Sequence, residues 1–347
     1  MKKKILIFGS GSIGTHHTNA AISLNCEVYI TDKKSSQLIN MRDNIYPSRY
    51  GKWNNKIKCI PYKLVFKLKH KFDIIIIGVP PSSHLKLIRL CQKNFKFKKI
   101  LVEKPLCVYN ENFNFLKKKE FKDKIFCGFN HSISRSFLHF LKILKKNLYK
   151  NNSKVQINID WKESFKLVLK AHPWIKSIRE SYLSNYKVGG GVSHEYSHAI
   201  HLLIILKEIL FRKNTPNFKK DISFKKVGKT KYDKSLIITY LDQRVKLNLF
   251  LNSVNNPPQK RITVKIGNDK SLKWERQLEK QQEIFSIKNG IKKNVKFFIN
   301  RRKDFIDEIK LLLKKDNNKD LNFLKLNYAM KVNLFLKNLF TSHVQKI

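Results

Sequence analysis

Lys104 stands between Glu103 and Pro105 at the end of an apolar run, Lys99-Ile100-Leu101-Val102. Open α/β sheets bind ligands outside the carboxyl ends of their strands, so a lysine there can reach a substrate oxygen. It can stabilise negative charge developing on that oxygen, and the following proline restricts the backbone that aims it. A second reactive group lies far along the chain, in Gly189-Gly190-Gly191-Val192-Ser193-His194-Glu195-Tyr196-Ser197-His198. Imidazole exchanges protons near neutral pH, which makes His198 the candidate general acid–base. His194 and Glu195 are the candidates for supporting it. A helix from near Ser193 through Leu206 would bring His194, His198 and His201 onto one face. Histidines so spaced also suit zinc, but no further ligand pattern accompanies them, and the expectation is a site without metal.

What these groups would act with is indicated by Gly9-Ser10-Gly11-Ser12-Ile13-Gly14. The pattern follows an apolar strand and opens a helix, the context that a dinucleotide-binding turn requires. Gly9 permits the tight turn, Gly11 lets a diphosphate approach the backbone, and Gly14 lets helix and sheet pack closely. Ser12 and Ile13 offer backbone N–H groups at the helix N-terminus. Asp32 ends the next strand, where it can accept the adenine ribose 2′-hydroxyl and would repel a 2′-phosphate. NAD is therefore the expected cofactor. Lys33 and Lys34 could pair with a phosphate, so NADP stays open.

The elements that must position these residues alternate. Strands are predicted at 4–8, 27–31, 59–61, 72–79, 99–102 and 125–128, with helices at 15–24, 65–71, 83–94 and 112–120 between them. That alternation predicts an α/β chain with an N-terminal doubly wound parallel sheet. After about residue 130 the pattern changes to consecutive strand-like stretches at 154–161, 222–227, 236–241, 245–253, 261–267 and 271–275. These predict a largely antiparallel open sheet, followed by helices at about 302–315 and 321–339. The charged stretch Lys288–Lys296 reads as a loop. The expected domains are residues 1–129 and 130–347.

Composition narrows the function classes. The chain has 347 residues, 42% of them hydrophobic, and a formal net charge of +47. Such a charge suggests a polyanion partner, but it comes from 61 lysines and only 11 arginines, spread over the whole chain. Readers of nucleic-acid sequence favour arginine for bidentate base contacts, and no nucleic-acid motif is present. The lysines are read as solvated surface in a lysine-, asparagine- and isoleucine-rich composition, with no specific nucleic-acid partner. No apolar run reaches the length of a membrane span. Met1–Lys4 followed by Ile5–Phe8 mimics a leader, but the glycine turn ends it too soon, and the reading is a first strand in a cytoplasmic protein. Five cysteines with no close pair argue for reduced thiols, and Cys107 is expected to be buried filler.

Five landmarks in order resemble the glucose–fructose oxidoreductase/inositol dehydrogenase (Gfo/Idh/MocA) family. They are Gly9–Gly14, Gly78-Val79-Pro80-Pro81-Ser82-Ser83-His84, Glu103-Lys104-Pro105, Gly128-Phe129-Asn130, and the Gly189–His198 segment. The resemblance implies a Rossmann domain followed by an α/β domain for substrate binding and oligomer contacts, in a dimer or tetramer. It implies NAD(P)-dependent hydride transfer at a hydroxyl or carbonyl of a sugar, cyclitol or similar small molecule. It places Val79, Pro80, His84, Glu103 and Lys104 about the cofactor and Asn130 near the substrate. Family members often carry arginine two residues after that asparagine, where this chain has Ser132. Many carry aspartates four residues before and three after the histidine, where this chain has His194 and His201. The stretch His172-Pro173-Trp174 through Arg179-Glu180-Ser181-Tyr182 is similar to a subgroup associated with surface-polysaccharide sugars. That likeness makes Trp174, Arg179 and Tyr182 candidates for holding substrate. A redox-inactive NAD-binding sensor or scaffold is the competing reading.

Overall fold

The structure, a computed structural model, describes residues 2–148, 153–170, 177–179, 181–211, 216–314 and 319–344. β1 (Lys4–Phe8), β2 (Glu27–Thr31), β3 (Ile57–Cys59), β4 (Lys71–Ile77), β5 (Lys96–Val102) and β6 (Ile125–Cys127) form a parallel sheet in the order β3-β2-β1-β4-β5-β6. Strand order reverses between β1 and β4, the switch point at which such sheets bind ligands. Ile5, Leu6 and Ile7 of β1 and Ile74–Ile77 of β4 are fully buried. Burial on both faces is what turns these strands into continuous apolar runs rather than alternating ones.

The second sheet contains β7 (Val155–Lys162), β8 (Asn217–Val227), β9 (Thr230–Leu241), β10 (Val245–Asn252), β11 (Gln259–Ile266), β12 (Lys270–Gln277), β13 (Gln282–Asn289) and β14 (Ile291–Phe298). Its order is β14-β13-β12-β11-β7-β10-β9-β8. Every pairing is antiparallel except β7 with β10. Within it, Arg276 on β12 lies opposite Glu283 on β13 and donates to it at 2.6 Å, both side chains buried. Ser136 also donates to Glu283 and in turn accepts from Trp274 Nε1 at 2.8 Å, so the buried acid is paired rather than stranded.

Two compact units result. The first is Met1–Asn130 with Arg301–Leu334; the second is His131–Asn300 with Phe335–Ile347. A boundary at 129/130 alone therefore omits the return of the helix Arg301–Leu313 to the nucleotide-binding unit, where Phe305 stacks on His16 with ring centroids 4.9 Å apart. The loop expected at Lys288–Lys296 is a hairpin, β13 and β14 joined at Gly290 with φ 70°. Its lysines lie largely on an exposed edge strand. The expected helix at 65–71 is a short one at Tyr62–Val65. That at 112–120 is a single 3-10 turn at Asn114–Lys117 followed by a turn of helix at Lys119–Lys122.

Candidate functional site

In the first unit the glycine turn is closed by backbone. Gly9 N donates to Thr31 O at 2.8 Å, and Gly9 has φ 101°. A Cβ on Gly9 would fall 2.4 Å from Gly78 O, and one on Gly14 only 1.8 Å from Gly9 O. Those two glycines are dictated by the protein's own packing. Gly11 is not: a Cβ there would meet nothing within 4 Å. Bare backbone facing open space at a helix N-terminus is what a diphosphate needs, and the residues present fit NAD in this respect.

Asp32 braces the turn. Its carboxylate accepts Ser10 N at 2.8 Å, Ser10 Oγ at 3.0 Å and Lys34 N at 3.0 Å. A carboxylate has about four acceptor positions, which leaves capacity for a ribose hydroxyl. Arg49, which no sequence motif marks, donates to Ser12 Oγ at 2.8 Å and to Ser12 O at 3.2 Å. It stands beside the cradle as a fixed cation at a helix N-terminus, on the helix Tyr46–Tyr50. Ile13 is half-buried in the same turn.

Val79 is half-buried and Pro80 exposed after β4. His84 is fully buried; its Nε2 lies 2.7 Å from Val79 O and its Nδ1 3.0 Å from Pro105 O. Both partners are acceptors, so a neutral ring donates to one of them at a time. Burial lowers its pKa, against the backbone carbonyls, which raise it. His84 thus ties the end of β4 to the Glu103-Lys104-Pro105 segment, with its nitrogens turned to the backbone. The Lys104–Pro105 peptide is cis, and Lys104 is half-buried.

Glu103 is buried behind Lys104. One carboxylate oxygen bonds His17 Nε2 at 2.6 Å, and the other accepts Lys104 N at 3.3 Å. Burial alone would raise this carboxyl; the His17 hydrogen bond and the nearby Lys104 ammonium outweigh it and hold its pKa below the ordinary value. The acid lies so close over Gly128 that a Cβ there would fall 3.0 Å from both carboxylate oxygens. That contact gives a physical reason for the glycine in Gly128-Phe129-Asn130.

In the second unit the helix expected from Ser193 through Leu206 is broken. One turn spans Val192–Glu195, Tyr196 departs from helical geometry at φ −97° and ψ 28°, and a new helix runs Ser197–Phe211. His194 and His198 therefore sit on different helices, and the one-face arrangement of three histidines does not form. His194 is fully buried, with Nδ1 3.1 Å from Gly190 O and its ring stacked on Phe340. His201 is buried too. Half-buried His198 instead meets His131, their ring centroids 4.1 Å apart, and His131 also lies against Trp161 at 5.3 Å. Sequence alone does not single out His131; its one signal is adjacency to Asn130, which is half-buried in the same 3-10 turn at the edge of the first unit.

Glu195 accepts the Tyr182 hydroxyl at 2.8 Å, joining two of the predicted side chains. Arg179 is exposed, and Trp174 lies outside the described residues. The start of the first turn at Val192 is held from β9: buried Asp233 accepts Ser193 N at 2.8 Å and Ser193 Oγ at 2.6 Å. Burial raises the Asp233 carboxyl to about 7, opposed by the Ser193 bonds. Among the described residues one group has metal-ligand proximity, His17, Glu103 and Glu308, and none is formed by His194, His198 and His201. Cys107 is buried, its thiol pushed up by burial, and it lies against Asn333.

No curated protein matches the chain in sequence. Among solved structures, levoglucosan dehydrogenase in complex with NADH and levoglucosan aligns at TM-score 0.72 and 11% identity, covering 100% of this chain and 98% of that one. A 3-ketoreductase from Actinomadura kijaniata in complex with NADP and TDP-benzene aligns at 0.67 and 10%, covering 97% and 96%. A super-repressor mutant of Gal80p from Saccharomyces cerevisiae aligns at 0.69 and 12%, covering 100% and 97%. At these identities the likeness establishes the fold over the whole chain. No described helix is long and apolar enough to cross a membrane. Residues 3–130 match the family model described as "Oxidoreductase family, NAD-binding Rossmann fold". With the glycine turn, Asp32 and the parallel sheet in place, residues 3–130 carry the features of that NAD-binding Rossmann fold.

Proposed function

We propose that the protein is an NAD-dependent oxidoreductase that moves hydride between nicotinamide and a secondary alcohol or ketone of a sugar, nucleotide sugar or cyclitol. The observation that carries this reading is Gly11, bare toward open space at a helix N-terminus in a unit that also carries Lys104 just after β5. The nicotinamide dinucleotide, when bound, supplies the hydride acceptor or donor. Backbone at Gly11–Ile13 and the Ser12–Arg49 pair bind the diphosphate, and Asp32 takes the adenine ribose hydroxyl. Lys104 donates to the reacting oxygen and stabilises its developing charge. His198 takes the hydroxyl proton as the carbon–hydrogen bond breaks, and returns it in the reduction. Asn130, Arg179 and Tyr182 hold the substrate, with Glu195 supporting Tyr182.

The finer substrate reading is a nucleotide-linked sugar of surface-polysaccharide synthesis. It is supported by the Arg179-x-Ser181-Tyr182 pattern and by the fold shared with a reductase crystallised with a TDP compound. A homo-oligomer formed through the open sheet is supported by exposed apolar side chains on its edge, Ile291 at 77% and Phe298 at 71%. A redox-inactive sensor is the competing reading, since fold alone does not decide function and the same fold occurs in a repressor. Lys104 together with His198 favours the enzyme.

The test is substrate screening with NAD and NADP, followed by Lys104→Ala and His198→Ala. Each variant should lose roughly 100-fold or more in kcat, while calorimetry finds NAD affinity within about threefold of wild type. Wild-type turnover in both variants would remove the assigned roles.

A further inference from the structure

Glu308 has no place in the chemistry above, yet it is a fully buried carboxyl. It lies on the helix Arg301–Leu313, its exposure is 0%, and neither carboxylate oxygen has a hydrogen-bond partner. It points into a closed cluster: one ligand-capable atom each of Glu308, Glu103 and His17 lie within 4.8 Å of one another. A buried carboxylate without partners costs several kcal/mol, and two carboxylates sharing such a site do not both ionise. One of the pair therefore carries a proton. Glu103 has the His17 hydrogen bond and the Lys104 N–H to hold it as the anion, and Glu308 has neither.

We propose that Glu308 is a positioning residue for Lys104, acting through Glu103 as the neutral, proton-carrying half of a buried carboxyl pair. The inference rests on the hydride-transfer reading for its consequence, though not for the pair itself. The chain of contacts is short. Glu308 fills the space beside Glu103 without adding charge. Glu103 then remains an anion fastened to His17 on one oxygen and to the Lys104 backbone on the other. Lys104 is held where the strand ends.

The titratable and charged groups around Glu308 are His17 from the helix Ser12–Ser23, Glu103 and Lys104 after β5, Cys127 at the end of β6, and Asp304 on its own helix. Burial raises the Glu308 carboxyl well above its ordinary value, and the Glu103 and Asp304 charges raise it further. Alkaline pH should eventually ionise Glu308 and set a second negative charge against Glu103. The bond to Lys104 N should then be lost, and turnover with it.

A metal ion is the other occupant that this geometry could take. It is disfavoured by the 2.6 Å His17–Glu103 separation, which is a hydrogen bond and too short for two ligands of one ion.

The test uses Glu308→Gln, which keeps the shape of the neutral acid, and Glu308→Leu, which does not. Infrared spectra of the whole protein at neutral pH should contain a protonated-carboxyl band that Glu308→Gln removes. In Glu308→Gln, kcat at pH 7 should stay within about threefold of wild type and the alkaline fall of kcat should move to higher pH. In Glu308→Leu, kcat should drop about tenfold or more with NAD affinity unchanged. A purely structural role would lower melting temperature without moving the pH profile, and would overturn the proposal. So would absence of the band, or a stoichiometric divalent metal in elemental analysis that Glu308→Gln loses. If wild type oxidises no alcohol, the hydride-transfer reading and the positioning role both fall, and the infrared band still decides the carboxyl pair. If wild type is active and the pH profiles superimpose, only this inference fails.

Discussion

Asp233 accepts both the backbone N–H and the hydroxyl of Ser193, at 2.8 and 2.6 Å, from inside a fully buried pocket. The contact is tight enough that a Cβ on Gly191, which has φ 85°, would fall 1.7 Å from Asp233 Oδ1. One acid thus fixes the turn that leads into the His194–His198 segment, and it accounts for the last glycine of Gly189-Gly190-Gly191.

The carboxyl of Asp233 is raised from 3.8 to about 7. Folded protein then keeps a proton that unfolded chain has released, so stability should fall as pH rises from about 4 to about 7 and level off above. The loss is at most about 4 kcal/mol, since a tenfold change in proton affinity is worth roughly 1.36 kcal/mol. Asp233→Asn should flatten this part of the curve. Denaturation of both proteins between pH 5 and pH 8 checks it, and an equal slope in the variant would reject the assignment.

Gly11 and Gly14 should respond differently to the same substitution. Gly11→Ala meets open space, and its N-cap dihedrals, φ −75° and ψ −162°, are accessible to alanine. Its folding cost should be about 1 kcal/mol or less, while NAD affinity drops about tenfold or more as the diphosphate meets a methyl group. Gly14→Ala drives a methyl into the Gly9 carbonyl and should lower the melting temperature as well as abolish binding. Thermal melts with and without NAD separate the two outcomes.

Removing the Asp32 carboxylate should loosen cofactor choice. Asp32→Ser keeps an acceptor near Ser10 and removes the charge that repels a 2′-phosphate, while Lys33 and Lys34 remain. The ratio of NAD to NADP dissociation constants should move toward NADP by about tenfold or more. An unchanged ratio would show that the acid serves the turn alone.

The His131–His198 stack distinguishes packing from proton chemistry. If His131 orients the His198 ring, His131→Phe should keep kcat within about threefold and His131→Ala should lower it about tenfold. Equal losses in both would give His131 a polar role of its own.

The parallel sheet was legible because burial on both faces writes itself into β1 and β4 as unbroken apolar runs. Segments whose burial is partial were harder. Leu38, Met41, Ile45 and Tyr46 are buried at helical spacing, but polar neighbours and Pro47 obscure the helices between Ser35 and Tyr50, and Arg49 is hidden with them. β14 presents almost every residue to solvent, so no alternation marks it, and only Gly290 betrays the turn. In the site, the glycine turn and Asp32 were readable because each needs its neighbours in sequence. His131 beside His198, Asp233 beneath Ser193 and Glu308 beside Glu103 are joined only by the fold, across separations that no local pattern spans.

The helix Arg301–Leu313 has a consequence for the order in which the molecule is made. His16 stacks on Phe305, Ser23 accepts from Arg302 at 3.0 Å, and Lys99 donates to the Leu312 carbonyl at 2.9 Å. All three partners emerge from the ribosome only after the eight strands of the second sheet. The unit whose first strand begins at Lys4 therefore waits for its last layer until the chain has been made as far as Leu313. A nascent chain stopped at Asn300 would leave bare the flank of the Ser12–Ser23 helix that Phe305 and Arg302 cover.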